Sequence, residues 1–398
     1  MISTFDRFGS LASSRMALLR LLVFCTLAAC YMAYSPPGPP PPLPPNHPLH
    51  PLSCNDSQVL AVADFALQSI NRDQKDGYTL SLSRVHDVWE HYQENMGSVY
   101  YLTLDVLETG CHVLSKKAPK DCGPRSLHES VYGQCKAMFH INKPNRVLYL
   151  LAYNCTLRPV SQKKIHFMCP DCPSPFDVSD PEVLEAATES LAKFNSENPS
   201  KQYSLVKVTR AVGQWVVGPS YFVDYLIKES PCTQSQASCS LQPSDSAPVG
   251  ICHGSVVKAP LKKFVSVTCE FFEPKVPGDV NPDVTQESKK LPSVDKASQK
   301  NTAPTNSPSI TAPRGSVQRL PDLDAGKLDD SKEKIPKEAF PVQLDLTTNP
   351  QGDTLDVSFL YLGPEEKKLE VWPFPRNQPR FPACPGPEGG TNPLILPP

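Results

Sequence analysis

The most regular feature of the chain is an apolar stripe that occurs twice at helical spacing. Within Val59–Asn71, Leu60, Ala63, Leu67 and Ile70 fall at i, i+3, i+7 and i+10, and within Val183–Asn195, Leu184, Ala187, Leu191 and Phe194 fall at the same offsets. That spacing places each set on one face of a helix. A start signal precedes each stripe, Asn55 or Asp56 in the first copy and Asp180 with Pro181 in the second. Both stripes read as core packing.

After each stripe the period shortens to two. Gly77–Leu82 matches Gln202–Lys207, and Tyr100, Leu102, Leu104 and Val106 alternate with their neighbours as do Tyr221, Val223, Tyr225 and Ile227. Strict alternation predicts strands with one face buried and the other wet. Further strands are expected at 136–141 with 147–155, and at 252–257 with 264–273. Each copy thus reads as one helix lying across about four antiparallel strands, an α+β layer pair repeated in tandem.

Outside the copies the pattern lapses. Arg15 and Arg20 precede an apolar run from Leu21 to Tyr34, so residues 1–34 read as a secretory signal peptide. No later stretch reaches the ~20 apolar residues of a membrane span. A Pro-rich spacer is expected over 35–53, the first module over 54–168, a linker over 169–173 and the second module over 174–273. The Pro- and Ser-rich region 274–398 should be largely disordered. Within it a hairpin is expected from Val342–Leu346 and Leu355–Tyr361, joined across Asn349–Gly352.

Composition adds compartment and excludes classes. Of 398 residues 14 are Cys and 45 Pro, at a formal net charge of −2. Loss of Cys25 and Cys30 with the leader leaves an even set, which in a secreted chain implies disulfides. The cysteines repeat with the modules: Cys111, Cys122, Cys135 and Cys155 match Cys232, Cys239, Cys252 and Cys269. Short separations and agreement between copies lead us to expect the first two of each set to pair, and the last two to staple adjacent strands. Cys54 and Cys384 remain as a further pair, and Cys169 with Cys172 closes a ring. Spacing alone does not fix this connectivity. Asn55 and Asn154 head sequons for N-glycosylation.

The charge balance gives no nucleic-acid footprint. Hydrolase, zincin and phosphate-loop motifs are absent, the histidines are scattered singly, and Cys169 and Cys172 lack the second ligand pair a zinc site needs. We therefore expect no enzyme, no cofactor and no intrinsic metal, but a secreted, extracellular monomer free of the membrane.

Two short motifs carry the remaining chemistry. Cys169-Pro170-Asp171-Cys172-Pro173 lies between the modules; a disulfide and two prolines would stiffen it, leaving Asp171 as its sole ionisable group. Gln214-Trp215-Val216-Val217-Gly218 satisfies the Gln-x-Val-x-Gly hairpin pattern of the cystatins, whereas Gln93–Gly97 keeps only its ends. With tandem modules, repeated cysteines, the linker ring and a Pro-rich tail, the chain resembles the fetuins; Asp76–Val85 and Gln214–Val223 resemble fetuin sequence directly. In cystatins this hairpin enters papain-like cysteine proteases together with an N-terminal glycine and a Pro-Trp hairpin. Here Pro173–Asp177 has no glycine, and the turns near Pro144 and Pro260 have no tryptophan.

What stands upstream of the intact hairpin is the ring. A carboxylate can fill the open position of a catalytic zinc at about 2.0–2.2 Å, and a constrained loop loses less entropy on docking. The expected function is inhibition of zinc metalloproteinases, with Asp171 capping the metal and Gln214–Gly218 beside it. The resemblance implies an astacin-family target such as ovastacin, and so a role in keeping the egg coat penetrable before fertilisation. Alternatives are papain-type inhibition, or a calcium-phosphate or ligand carrier, for which Asp105 and Glu108 supply the corresponding acidic strand face.

Overall fold

The computed structural model describes residues 49–215, 218–230, 247–273, 314–322, 353–360, 368–375 and 379–389. The signal-peptide segment, most of the spacer, Val216, Val217, Cys232, Cys239 and Val342–Leu346 lie outside them. Among the described residues no helix is long and apolar enough to cross a membrane.

In chain order the elements are β1 (His50–Pro51), α1 (Ser57–Asp73), β2 (Tyr78–Gln93), β3 (Gly97–His112), β4 (Val131–Asn142), β5 (Val147–Pro159) and α2 (Gln162–Met168). Then follow β6 (Ser174–Pro175), α3 (Pro181–Glu197), β7 (Tyr203–Trp215), β8 (Pro219–Glu229), β9 (Gly250–Lys258) and β10 (Lys263–Phe271). The tail contributes β11 (Gly315–Arg319), β12 (Asp353–Asp356) and β13 (Lys368–Val371). One sheet runs β1-β2-β3-β4-β5-β11 and carries α1; another runs β10-β9-β8-β7-β6 and carries α3.

The helices start where the caps predict. Asp56 accepts from the amides of Gln58 and Val59, and Asp180 from that of Glu182 with Pro181 in the first turn. Their buried faces are rotated from the expected stripes. Val59, Val62, Ala63, Ala66, Leu67 and Ile70 face the first core, while Leu60 is 38% exposed. Val183, Ala186, Ala187, Ser190 and Leu191 face the second, while Leu184 is exposed and Phe194 only packs at the margin. Small residues take the closest approach to the sheet, where a large leucine would hold the helix off. Ser190 illustrates the fit: a side chain on Gly254 beneath it would collide with its hydroxymethyl group.

Both long hairpins are bent by repeated register shifts. β2 slips against β3 between Tyr78 and Leu80, Leu82 and Arg84, and Val85 and Asp87; β7 slips against β8 between Leu205 and Lys207, and Val208 and Arg210. Such bulges raise the local twist and let each sheet wrap its helix.

The wet outer face expected of β3 and β8 is not wet. β3 is buried along almost its whole length: the tail covers it at Tyr101, and the cluster of Tyr132, Val160 and Ile165 covers it at Leu107. Phe374 packs edge-on to Tyr101, whose hydroxyl accepts from the Trp372 amide. Asp224 of β8 is buried at the contact between modules, within hydrogen-bond distance of Tyr78. Within the tail Asp353–Asp356 pairs with Lys368–Val371, whereas the partner expected from the sequence, Val342–Leu346, lies outside the described residues. The spacer also ends early: Leu49 is buried, and His50 and Pro51 pair with Glu90 and Trp89 as an edge strand, a position that tolerates proline.

Disulfides join Cys54 to Cys384, Cys111 to Cys122, Cys135 to Cys155, Cys169 to Cys172 and Cys252 to Cys269. Cys135 and Cys252 each face their partner directly across two antiparallel strands.

A polar network joins the modules. Arg210 reaches Glu129 at 2.6 Å and Asp224 at 2.8 Å, while His253 meets Asp224 at 2.7 Å. Tyr78 bonds Thr209 and Asp224 under the Arg125 guanidinium. Lys207–Asp76 and Lys117–Glu270, each 2.6 Å, close the rim. Burial alone would raise the Asp224 carboxyl, but the His253 hydrogen bond and the Arg210 charge outweigh it and bring it down to about 2.

Candidate functional site

The ring is built from a short helix upward. α2 has only seven residues, too few to stand alone, and is held by one buried side chain. Ile165 packs with Tyr132 and Val160 in a small core flanked by Leu107 and by Cys172 of the ring itself. Ser161 caps the helix by accepting from the Lys164 amide. The Cys169 amide donates to the Ile165 carbonyl, and the Cys172 amide to the Cys169 carbonyl, so the chain turns tightly as the disulfide closes. Asp171 is exposed at the crest, and among the described residues no group pairs with its carboxylate.

Downstream, the chain is stitched to the second module at once. Ser174 and Pro175 pair with Gly213 and Val212, the Phe176 amide donates to the Ala211 carbonyl, and the Phe176 ring lies edge-on to Tyr221. This pairing brings the ring to the head of the β7–β8 hairpin. The Gln214 side-chain Nε2 donates to the Asp171 backbone carbonyl oxygen at 2.5 Å, so the two sequence motifs form one continuous edge. Trp215 stands 78% exposed at the hairpin tip. Gly218 returns the chain so close to the Lys258 carbonyl that any Cβ would clash, which accounts for the glycine on packing grounds alone.

Several apolar side chains on this edge escaped sequence reasoning. Phe167 is 89% exposed and Met168 is exposed beside it, immediately before Cys169; Leu261 is fully exposed at the β9–β10 turn, near Gly218. No periodic signal marks Phe167 and Met168 in the sequence, because α2 buries only Ile165.

The corresponding hairpin of the first module is not free. The Gln93 side chain donates to the Glu370 carbonyl and accepts from the Glu370 backbone amide, each at 2.8 Å, so it holds β13 against the hairpin. Met96 is buried, and Gly97 adopts φ +87° against the Ile141 carbonyl.

The acidic strand face suggested for mineral binding is closed as well. Asp105 and Glu108 are buried rather than displayed. Asp105 is held by Arg84, His86 and Gln134, and Glu108 by Arg125 and Arg319. Among the described residues no cluster of three or more His, Cys, Asp or Glu could hold a metal ion. Of the sequon residues, Asn55 is exposed, whereas Asn154 is half-buried in β5 beside Ser316 of β11.

One helix across a curved antiparallel sheet, twice, with a glycine-closed hairpin at one edge, is the arrangement of a tandem cystatin. The family model of the cystatin domain matches residues 48–143 and 171–261. Fetuin-B of Mus musculus is 72% identical over 394 residues, covering 96% of this chain and 100% of that one, and the chain belongs to the fetuin-B family. Two solved structures agree in fold. Mouse fetuin-B in complex with crayfish astacin has a TM-score of 0.70 at 62% identity, covering 89% of this chain and 99% of that one. The inhibitory complex of human meprin beta with mouse fetuin-B has a TM-score of 0.70 at 63% identity, covering 88% and 100%.

Proposed function

We propose that this protein inhibits astacin-type zinc metalloproteinases by presenting Asp171 to the catalytic zinc. The observation that carries the mechanism is an exposed carboxylate with no described partner, on a cross-linked ring anchored from both sides. The fetuin-B complexes with astacin and meprin beta support the target class.

The chemistry follows from the ring. An aspartate carboxylate is a good ligand for the position a catalytic zinc keeps open for water. Proline on either side of Asp171 and the disulfide limit the conformations lost on docking. The ring also offers no large side chain of its own at the crest. Phe167, Met168 and Trp215 flank it, and supply the apolar anchors that interfaces use.

Inhibition of an astacin-type protease by the wild type and by Asp171→Ala tests this reading. The variant is expected to lose at least about 30-fold in affinity, the scale of a strong interface residue. Equal inhibition by both proteins would remove Asp171 from the mechanism.

A further inference from the structure

The tail strand β11 ends next to the ring's own foundation. It lies parallel to β5, with Gly315 facing Tyr153 and Arg319 facing Leu157. Arg319 is anchored on buried Glu108, and the Arg314 amide donates to Asp73. The Leu320 amide then donates to the Leu157 carbonyl at 2.8 Å, extending the ladder past the strand. Two residues on, Asp322 accepts from the Gln162 amide at 2.9 Å, the first residue of α2.

We propose that residues 315–322 are a positioning element for the ring, with Asp322 capping the helix from which Cys169 departs. A helix leaves its first four amides without internal partners. In α2, Ser161 satisfies the Lys164 amide and Asp322 the Gln162 amide, so the tail supplies a cap that the local sequence does not. The carboxylate also sits at the end where the helix dipole favours negative charge. Because α2 has seven residues and one buried side chain, these caps and Ile165 decide how much of the time it is formed. The ring is bonded to that helix through the Cys169 amide and leans on its core through Cys172. A frayed α2 therefore lowers the fraction of molecules whose ring is set to dock, and apparent affinity falls by that fraction.

This inference rests on the reading of the ring as the inhibitory element, and its test separates the two. Full-length wild type, Asp322→Ala, Asp322→Asn and Asp171→Ala are compared in inhibition of an astacin-type protease and in amide hydrogen exchange. Loss of a helix cap predicts about fivefold weaker inhibition by Asp322→Ala, with about fivefold faster exchange at Gln162 and Ile165 and unchanged exchange in α1. Asparagine keeps an acceptor for the Gln162 amide and loses only the charge, so Asp322→Asn should restore most of both readouts. Wild-type inhibition by Asp322→Ala, while Asp171→Ala has lost it, would overturn the tail's role and leave the ring's intact. Faster exchange in α2 with undiminished inhibition would do the same. If Asp171→Ala inhibits like wild type, the ring leaves the mechanism and the tail's part in it goes too.

Discussion

Asp171 and Gln214 show how much of the site depends on single groups. The Gln214 side-chain Nε2 holds the backbone carbonyl of the residue whose carboxylate points outward, so it steadies the crest without competing for the acid. Gln214→Ala removes one hydrogen bond at a partly exposed position, and should weaken protease inhibition by about fivefold while leaving the melting temperature within ~1 °C. Titration of the variant against an astacin-type protease checks it. Both motifs were legible in the sequence because cysteine, proline and glycine constrain backbone locally. The fate of Asp105 and Glu108 was not. An acid on an alternating strand reads as solvent-facing, and the arginines that bury these two arrive from β2, the β3–β4 connection and β11.

Among elements, the helices were the most readable and still misled by one position. Periodicity and caps located α1 and α3, yet Leu60 and Leu184 drew the stripe away from the alanines that meet the sheet. The buried and exposed leucines of α1 separate cleanly by mutation. Leu67→Ala should destabilise the protein by about 2–5 kcal/mol, and Leu60→Ala by less than about 1 kcal/mol, measured by denaturant unfolding. α2 gave no stripe because only Ile165 is buried, and β11 gave none because Gly-Ser-Val-Gln-Arg is polar and its partner strand lies far upstream. Short elements defined by distant partners have little local pattern to detect. The contacts of these few tail segments were therefore hidden in sequence, even though Cys384 marked where the chain returns.

Across the whole molecule, among the described residues, the modules meet mainly through charged and polar groups. Arg210 and His253 both bind Asp224, and the titrations of Asp224 and His253 oppose each other in pH. The Asp224 carboxyl, lowered to about 2, contributes stability present above its ordinary 3.8 and lost as pH falls through 2. His253 is raised above its ordinary 6.5 by its hydrogen bond to Asp224, against the opposing effect of burial. Its contribution is complete below 6.5 and is lost as pH rises through the raised value. The contact should be strongest between about pH 4 and 6.5. Thermal melts of wild type and His253→Gln at pH 6 and pH 8.5 test this: the gap between them should narrow at the higher pH. An equal gap at both values would show that the His253 proton does not contribute. The ring is anchored on both modules, since Ile165 and Cys172 belong to one core and Gln214 to the other sheet, so this contact bears on the proposed inhibitory edge.

The most direct measurement of the central claim watches the partner's metal. An astacin-type protease carrying cobalt(II) in place of zinc has a visible spectrum that reports the ligands of its metal. Addition of the wild-type protein should shift that spectrum and saturate at one equivalent, whereas Asp171→Ala, even at concentrations where it binds, should leave it unchanged. The same spectral shift from Asp171→Ala would mean that some other group reaches the metal, and that the ring does not act through its carboxylate.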